Sequence, residues 1–319
     1  MAARERFLVT GSAGCIGSWA MHLLSRDGVE VVGFDLATDH RRVRLLTDQQ
    51  GSMRFVQGDI TDTEVVLGVV AREGITHIVH LAALQIPFCQ ADPIGGARVN
   101  VVGTVNILES ARRSDVAGLS YASSVAVYGP PDLYPDGVRD DSPLAPSTLY
   151  GAYKQANERS ARVYAADYGV SSVCLRPCSV YGPGRDQGLT SAPTQAMVAA
   201  AAETPFHIPF GGGSTFQHAG EVARLFIEAA RAEAEGAHVY NLGGPSVSIA
   251  EVVSLISAEA PGAQITSGDQ ALPLPDQYDG AGLDRLLGGV EYLSMEEGVA
   301  TSISAFRELL SAGLIDPPV

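Results

Sequence analysis

Short apolar runs of strand length recur from the N-terminus: "RFLVT", "VEVVGFD", "MRFVQGD", "ITHIVHLAA", "VAGLSYASS" and "SSVCLRP", each separated from the next by a helix-length stretch or a turn. They are rich in β-branched residues and are not broken by polar alternation, so they suit parallel strands covered on both faces. Strands alternating with helices restrict the chain to βαβ units with right-handed crossovers, hence to an α/β fold with a doubly wound parallel sheet. Segments 93–114 and 150–168 read as two of the crossover helices. Past residue 178 the pattern loosens into Gly- and Pro-rich stretches around an Ala-rich helix near 191–203, another near 220–232, a strand around "HVYNL" and helices at 248–259 and 295–312. Ser294 and Glu297 form an S-x-x-E capping box at the start of the last helix.

The first strand runs into "LVTGSAGCIGSWAMHLL", a strand, a glycine turn and a helix with Gly11, Gly14 and Gly17 three apart. Gly11 permits the tight turn, Gly14 lets backbone approach a pyrophosphate, and Gly17 allows close helix–strand packing, while the helix N-terminus offers free N–H groups to phosphate. The next strand ends in Asp35, placed to accept hydrogen bonds from the adenosine ribose hydroxyls and to repel a 2′-phosphate, which favours NAD over NADP. Arg41 and Arg42 nearby pull the other way. "GDI" at 58–60 puts Asp59 within reach of the adenine amino group.

The stretch "STLYGAYKQANE" holds two tyrosines and one lysine. On a helix Tyr150 faces Lys154, four residues on, and Tyr153 does not. A phenol with an ordinary pKa of about 10 is a weak base. An ammonium at about 4 Å contributes roughly 4 kcal/mol at an effective dielectric near 20, so Lys154 is expected to make Tyr150 a usable general acid/base. "YASSVAVYG" brings Ser124 to a carboxyl strand end, where its hydroxyl can hold the substrate oxygen.

The net charge of −15 argues against a nucleic-acid surface, and the four cysteines lack a C-x-x-C pair or a histidine cluster, so neither a disulfide framework nor a metal site is suggested. No run approaches the roughly 18 apolar residues that span a bilayer. "MAARERFLVTG" is far short of a secretory signal, and the chain reads as cytoplasmic.

"TGSAGCIGS", Asp35, "HLAA", "YASSVAVYG", "YGAYK" and "RPCSVYGPG", in this order, resemble the extended short-chain dehydrogenase/reductase family, the NAD-dependent epimerase/dehydratases. The resemblance covers roughly residues 5–245 well and the C-terminal part weakly. It implies a Rossmann dinucleotide-binding domain at 1–178, with returning segments about 215–244, and a smaller, partly interleaved substrate domain from 179–214 and 245–319. It also implies NAD as cofactor, a catalytic Ser124–Tyr150–Lys154 set in which Tyr150 and Lys154 touch the cofactor and Lys154 holds the nicotinamide ribose, and a homodimer through the 93–114 and 150–168 helices. Along the cofactor it places Cys15 and Ile16 with the glycines, Ile60 beside Asp59, Leu81, Ala82 and Ala83, Asn100, and Pro177.

Departures from the family narrow the substrate. Family dehydratases carry an Asp-Glu pair after the serine, whereas this chain has Val125 and Ala126, which argues against dehydration. Nucleotide-sugar epimerases place an asparagine at the position of Ser179 and diphosphate-binding arginines near Ser214 and about ten residues before Asp279; this chain has neither arginine. Arg185 remains for an anion such as a carboxylate, with Gln85 and His218 as further substrate contacts. The favoured expectation is an NAD-dependent oxidoreductase acting on a secondary hydroxyl of a sugar, sugar acid or polyol without a nucleotide. The alternative is a sugar epimerase, UDP-galactose 4-epimerase-like and acting on a nucleotide sugar, and the third reading is a non-enzymatic dinucleotide sensor.

Overall fold

The computed structural model describes residues 5–47 and 53–318. The apolar runs become β1 (Arg6–Thr10), β2 (Glu30–Asp35), β3 (Met53–Gln57), β4 (His77–His80), β5 (Gly118–Ala122) and β6 (Ser172–Arg176). Three short strands follow, β7 (Ser179–Tyr181), β8 (Phe206–Ile208) and β9 (Gly213–His218), before β10 (Ala237–Asn241) returns to lie beside β6. The result is one seven-stranded, all-parallel sheet in the order β10-β6-β5-β4-β1-β2-β3. Strand order reverses between β1 and β4, so a crevice opens at their carboxyl ends.

β1 shows why these strands carry no polar alternation. Phe7 and Val9 pack into one core with Met21, Leu24, Leu225 and Phe226, while Leu8 between them packs into another with Val32, Ile78, Val69 and Ile107. The first core is covered by α1 (Cys15–Arg26), and a four-residue helix, α2 (Arg41–Arg44), follows β2. The second core is covered by α3 (Thr63–Glu73) and by a long helical segment that begins after the short α4 (Ile86–Ala91). That segment reads as one helix in sequence but consists of α5 (Pro93–Ala97), a π turn at Arg98–Val102 and α6 (Gly103–Ser114). The π turn holds one residue more per turn than an α-helix and changes which side chains face the sheet. The second crossover helix is α7 (Leu149–Tyr168), started by the Thr148 hydroxyl accepting from the Gly151 N–H and ended by Gly169 at φ 70°.

After β7 come α8 (Ala192–Ala201) and α9 (Ala219–Arg231). α9 buries Val222, Leu225, Phe226 and Ala229, an i, i+3, i+4, i+7 stripe, against the first core. Gly118 in β5 allows this approach, since a Cβ there would lie 1.8 Å from the Ala230 carbonyl oxygen. The remaining chain forms β11 (Ser246–Ser248), α10 (Ile249–Glu259), β12 (Ile265–Ser267), α11 (Ala281–Leu287) and α12 (Met295–Ser311). α8, α10 and α12 enclose a separate core around Met197, Ile256, Ile303 and Phe306, and the capping box of Ser294 and Glu297 is present. β11-β9-β7 form a three-stranded sheet and β12-β8 a two-stranded one. β7, β8, β11 and β12 have three residues each, too short to carry a period-2 pattern, which is why sequence reading passes over them. No helix among the described residues is long and apolar enough to cross a membrane.

Gly118→Ala should therefore lower apparent stability by about 1–3 kcal/mol, because backbone sits where the new methyl must go. The urea midpoint checks this, and an unchanged midpoint would contradict the close α9–β5 packing.

Candidate active site

A cleft of about 550 Å³ runs along the carboxyl ends of the central strands. Gly11, Gly14, Cys15, Ile16, Gly17, Asp35, Asp59, Ile60, Leu81, Ala82, Ala83, Pro177, Gln85, Ser179 and Arg185 all line it, together with Ser124, Tyr150 and Lys154. Asn100 and His218 do not.

The glycine loop is built for close approach. Gly11 has φ 70°, and a Cβ on it would lie 2.7 Å from the Ala82 amide nitrogen; one on Gly17 would lie 2.1 Å from the Gly11 carbonyl oxygen. α1 begins at Gly14 with no side-chain cap, whereas α3, α7, α10 and α12 are capped by Asp62, Thr148, Ser248 and Ser294. The leading amides of α1 are thus left for a ligand anion, and the helix dipole favours negative charge there. Asp35 accepts from the Ala13 N–H at 2.9 Å through Oδ2 and from the Ala37 N–H at 2.9 Å through Oδ1. Each carboxylate oxygen keeps a further lone pair for a ribose hydroxyl. An uncapped helix start, a glycine cradle and an acceptor at the end of β2 fit a dinucleotide.

Tyr150, Lys154 and Glu158 lie one turn apart on one face of α7. Lys154 is 3% exposed, and its Nζ donates to the Ala122 carbonyl at 2.7 Å, tying α7 to the end of β5. The same Nζ lies 5.6 Å from the centre of the Tyr150 ring. Ser124 follows β5, and its Oγ accepts from the Ala126 N–H at 3.2 Å to start a single 3₁₀ turn. Tyr153 points away, its hydroxyl donating to the Pro93 carbonyl at 2.9 Å.

The electrostatics differ from the charge argument made on sequence. Burial pushes the Tyr150 phenol up to about 12, with the Ser124 hydroxyl and then Arg185 drawing it back. Burial likewise brings Lys154 down to about 8, against the pull of Cys174, Cys89 and Glu158. Loss of hydration outweighs every neighbouring charge and hydrogen bond acting on either group. In the protein alone the phenol keeps its proton at neutral pH.

Beneath these residues lies an ion pair that sequence reading missed. Glu158 and Arg176 are 2% and 1% exposed, with Arg176 Nη2 2.7 Å from Glu158 Oε2 and Nε 2.8 Å from Oε1. Ser123 donates to Glu158 Oε1 at 2.6 Å, and Arg176 Nη1 donates to the Tyr128 hydroxyl and, at 3.0 Å, to the Asp140 carbonyl. Its one available sequence signal was the continuation of the Tyr150, Lys154 spacing to Glu158.

Two residues expected at the ligand stand elsewhere. Asn100 sits in the π turn, fully buried, with Nδ2 donating to the Leu84 carbonyl at 3.1 Å and the Gly96 carbonyl at 3.0 Å; it braces the cleft wall from behind. His218 is the N-cap of α9, its Nδ1 accepting from the Gly220 N–H at 3.2 Å, and it packs edge-on against Trp19 and Tyr181. Burial brings it down to about 4, so it is a neutral cap.

At the far end of the cleft the Ser179 and Ser214 hydroxyls pair at 2.7 Å, and Leu272, Leu274 and Pro275 complete the wall. Val125 and Ala126 stand apolar beside Ser124. Arg185 Nη2 donates to Thr190 Oγ1 at 3.2 Å, and its Nε is buried without a protein partner.

A profile of the NAD dependent epimerase/dehydratase family matches residues 7–243. A UDP-glucose 4-epimerase from Mycolicibacterium smegmatis is 32% identical over 317 residues, covering 95% of this chain and 98% of that protein. Among solved structures, a GalE-like L-threonine dehydrogenase from Cupriavidus necator superposes with a TM-score of 0.82 at 25% identity, over 94% of this chain and 99% of that one. A Thermus thermophilus UDP-glucose 4-epimerase in complex with NAD superposes with a TM-score of 0.81 at 26% identity, over 95% and 99%.

Glu158→Gln should destabilise the protein by about 3–5 kcal/mol, since it leaves the Arg176 charge buried without its counter-ion. Replacing the pair together by Glu158→Leu and Arg176→Met should recover part of that loss in a urea titration. For Lys154, a folded-state value of about 8 lies below that of the unfolded chain, so its charge opposes folding in full below pH 8 and ceases to do so as pH rises toward the ordinary lysine range. The stability deficit of wild type relative to Lys154→Met, measured without dinucleotide, should shrink as pH rises from about 8 to about 10.5. A pH-independent difference would contradict a buried ammonium.

Proposed function

Because the chain belongs to the NAD-dependent epimerase/dehydratase family, we propose that it is an NAD-dependent sugar epimerase, oxidising a secondary carbinol and re-reducing the same carbon from its other face. The observation that carries this reading is the similarity to a UDP-glucose 4-epimerase along nearly the whole of both chains, which favours a UDP-hexose as substrate. This reverses the order of the two enzymatic readings made on sequence, where the nucleotide-free dehydrogenase stood first. Family membership also takes away the ground for a non-enzymatic dinucleotide sensor.

The amides at the start of α1 would hold the pyrophosphate, Asp35 the adenosine ribose, Asp59 the adenine, and Lys154 the nicotinamide ribose. Bound NAD supplies the two-electron acceptor and, when oxidised, a further positive charge. Tyr150 takes the carbinol proton during oxidation and returns it to the carbonyl oxygen afterwards. Its high value without dinucleotide suits the returning step, and added positive charge favours the phenolate needed for the first. Ser124 holds the substrate oxygen against the phenol. The neighbouring apolar Val125 and Ala126 provide no acid or base for elimination, which supports epimerisation over dehydration. We propose that the lobe around Met197, Ile256 and Ile303 carries the substrate side of the cleft. We also propose that two copies pair along α5–α6 and α7, where Ile94, Val102, Val163 and Tyr168 are exposed.

A second reading, a dehydrogenase acting on a nucleotide-free hydroxy compound, is favoured by the far end of the cleft. There Ser214, Leu272 and Leu274 stand near the positions expected for diphosphate arginines, and Arg185 lines the same cleft. In this reading Arg185 takes a carboxylate, with Gln85 beside it.

The purified protein with NAD should convert UDP-glucose to its 4-epimer, followed by NMR, with no net rise in NADH absorbance. Net NADH from a free sugar, sugar acid or polyol, with no epimer from any UDP-hexose, would select the second reading. In either case Tyr150→Phe should lower turnover by about 10²–10⁴-fold while sparing NAD binding, and an unchanged rate would remove Tyr150 from the chemistry. Tyr153→Phe should change turnover little.

A further inference from the structure

Arg41 and Arg42 follow β2 closely enough to serve a phosphate on the adenosine ribose, yet Arg42 presents no free oxyanion-binding edge. Asp186, from the loop after β7 and 144 residues away from Arg42, takes both. Arg42 Nε and Nη2 donate to Asp186 Oδ1 at 3.0 and 2.6 Å, and Arg41 Nη2 donates to Oδ2. Arg42 Nη1 donates to the Ala13 carbonyl at 2.8 Å, while the N–H of the same Ala13 donates to Asp35. Asp35 and Arg42 therefore grip the two polar groups of one glycine-loop residue, so the arginine charge lies beside the carboxylate that reads the ribose. The loop bringing Asp186 is itself pinned, since Trp19 Nε1 donates to the Pro183 carbonyl at 2.9 Å.

We propose that Asp186 is a cofactor-specificity residue: by occupying the two-donor edge of Arg42 it denies a 2′-phosphate that guanidinium, so NADP is disfavoured by Asp186 as well as by Asp35. Guanidinium binds phosphate and carboxylate through the same two-donor edge, so one occupant excludes the other. On Arg42 that edge, Nε with Nη2, is spent on Asp186. Asp186 is a full carboxylate supplied from outside the β2 segment, and nothing in the sequence near Asp35 reveals it.

The test compares dissociation constants for NAD+ and NADP+ on the full chain freed of bound dinucleotide, by calorimetry and by the fluorescence of Trp19, the one tryptophan in the sequence. Asp186→Asn should lower the ratio of the NADP+ to the NAD+ constant by about tenfold or more, because the freed Arg42 guanidinium gains charge-assisted bonds to phosphate. Adding Arg42→Ala to that variant should return the ratio toward wild type. If Asp186 only holds the loop, both constants rise together and the ratio stays put, which overturns the proposal; so does a lowered ratio that survives Arg42→Ala. Asp186→Ser, which also removes the charge, decides the matter should Asp186→Asn fold poorly.

Discussion

The buried pairing of Glu158 with Arg176 is the constraint on which the rest of the site depends. Two charges removed from water cost more than their attraction returns unless every remaining donor and acceptor is used, and breaking such a pair by removing one partner costs about 3–5 kcal/mol. Here the partners are used: Ser123, Tyr128 and the Asp140 carbonyl complete the set. Those contacts come from the end of β5, the loop after it, the end of β6 and the middle of α7. Ser124 is the residue after Ser123, and Lys154 is one turn before Glu158. The ion pair therefore sets the separation between the hydroxyl and the helix face that carries the phenol.

How much of this is legible in the sequence follows from how far each interaction reaches along the chain. The glycine loop, Asp35 and the Tyr150–Lys154 face are encoded by spacings of a few residues, and those spacings translate directly into one turn or one helix face. Glu158 with Arg176 spans 18 residues and Arg42 with Asp186 spans 144, and a pair brought together by topology leaves no periodic trace. Asn100 shows a subtler case: it lies in a helical stretch that the sequence locates, but the π turn within it is not legible there, and Nδ2 meets the Leu84 and Gly96 carbonyls. His218 follows the same logic, since an extended N-cap turns its ring back onto its own helix.

The phenol illustrates a different gap, one of magnitude rather than position. A charge at helical spacing is visible in a sequence, and the depth at which it is buried is not. An attraction between Tyr150 and Lys154 taken at an effective dielectric of about 20 leaves out the hydration that each loses in the cleft. The sign of the resulting shift in the protein alone is therefore opposite to the one the pair by itself suggests, and the extra charge needed to reverse it must arrive with the ligand.

The division of labour between rigid and irregular parts of the cleft has a consequence of its own. The groups assigned to the chemistry sit on α7 and the end of β5, locked by the buried ion pair. The wall at the far end of the cleft comes from Arg185 and Thr190 in one loop and Leu272, Leu274 and Pro275 in another. The Ser179–Ser214 hydroxyl pair marks the seam between the two. A lineage carrying this architecture can exchange one guest for another by rewriting two stretches of irregular backbone, leaving the proton-transfer apparatus untouched. Under the proposed function, a change of guest would fall on those two loops, while the Glu158–Arg176 pair keeps Ser124 and Lys154 in register.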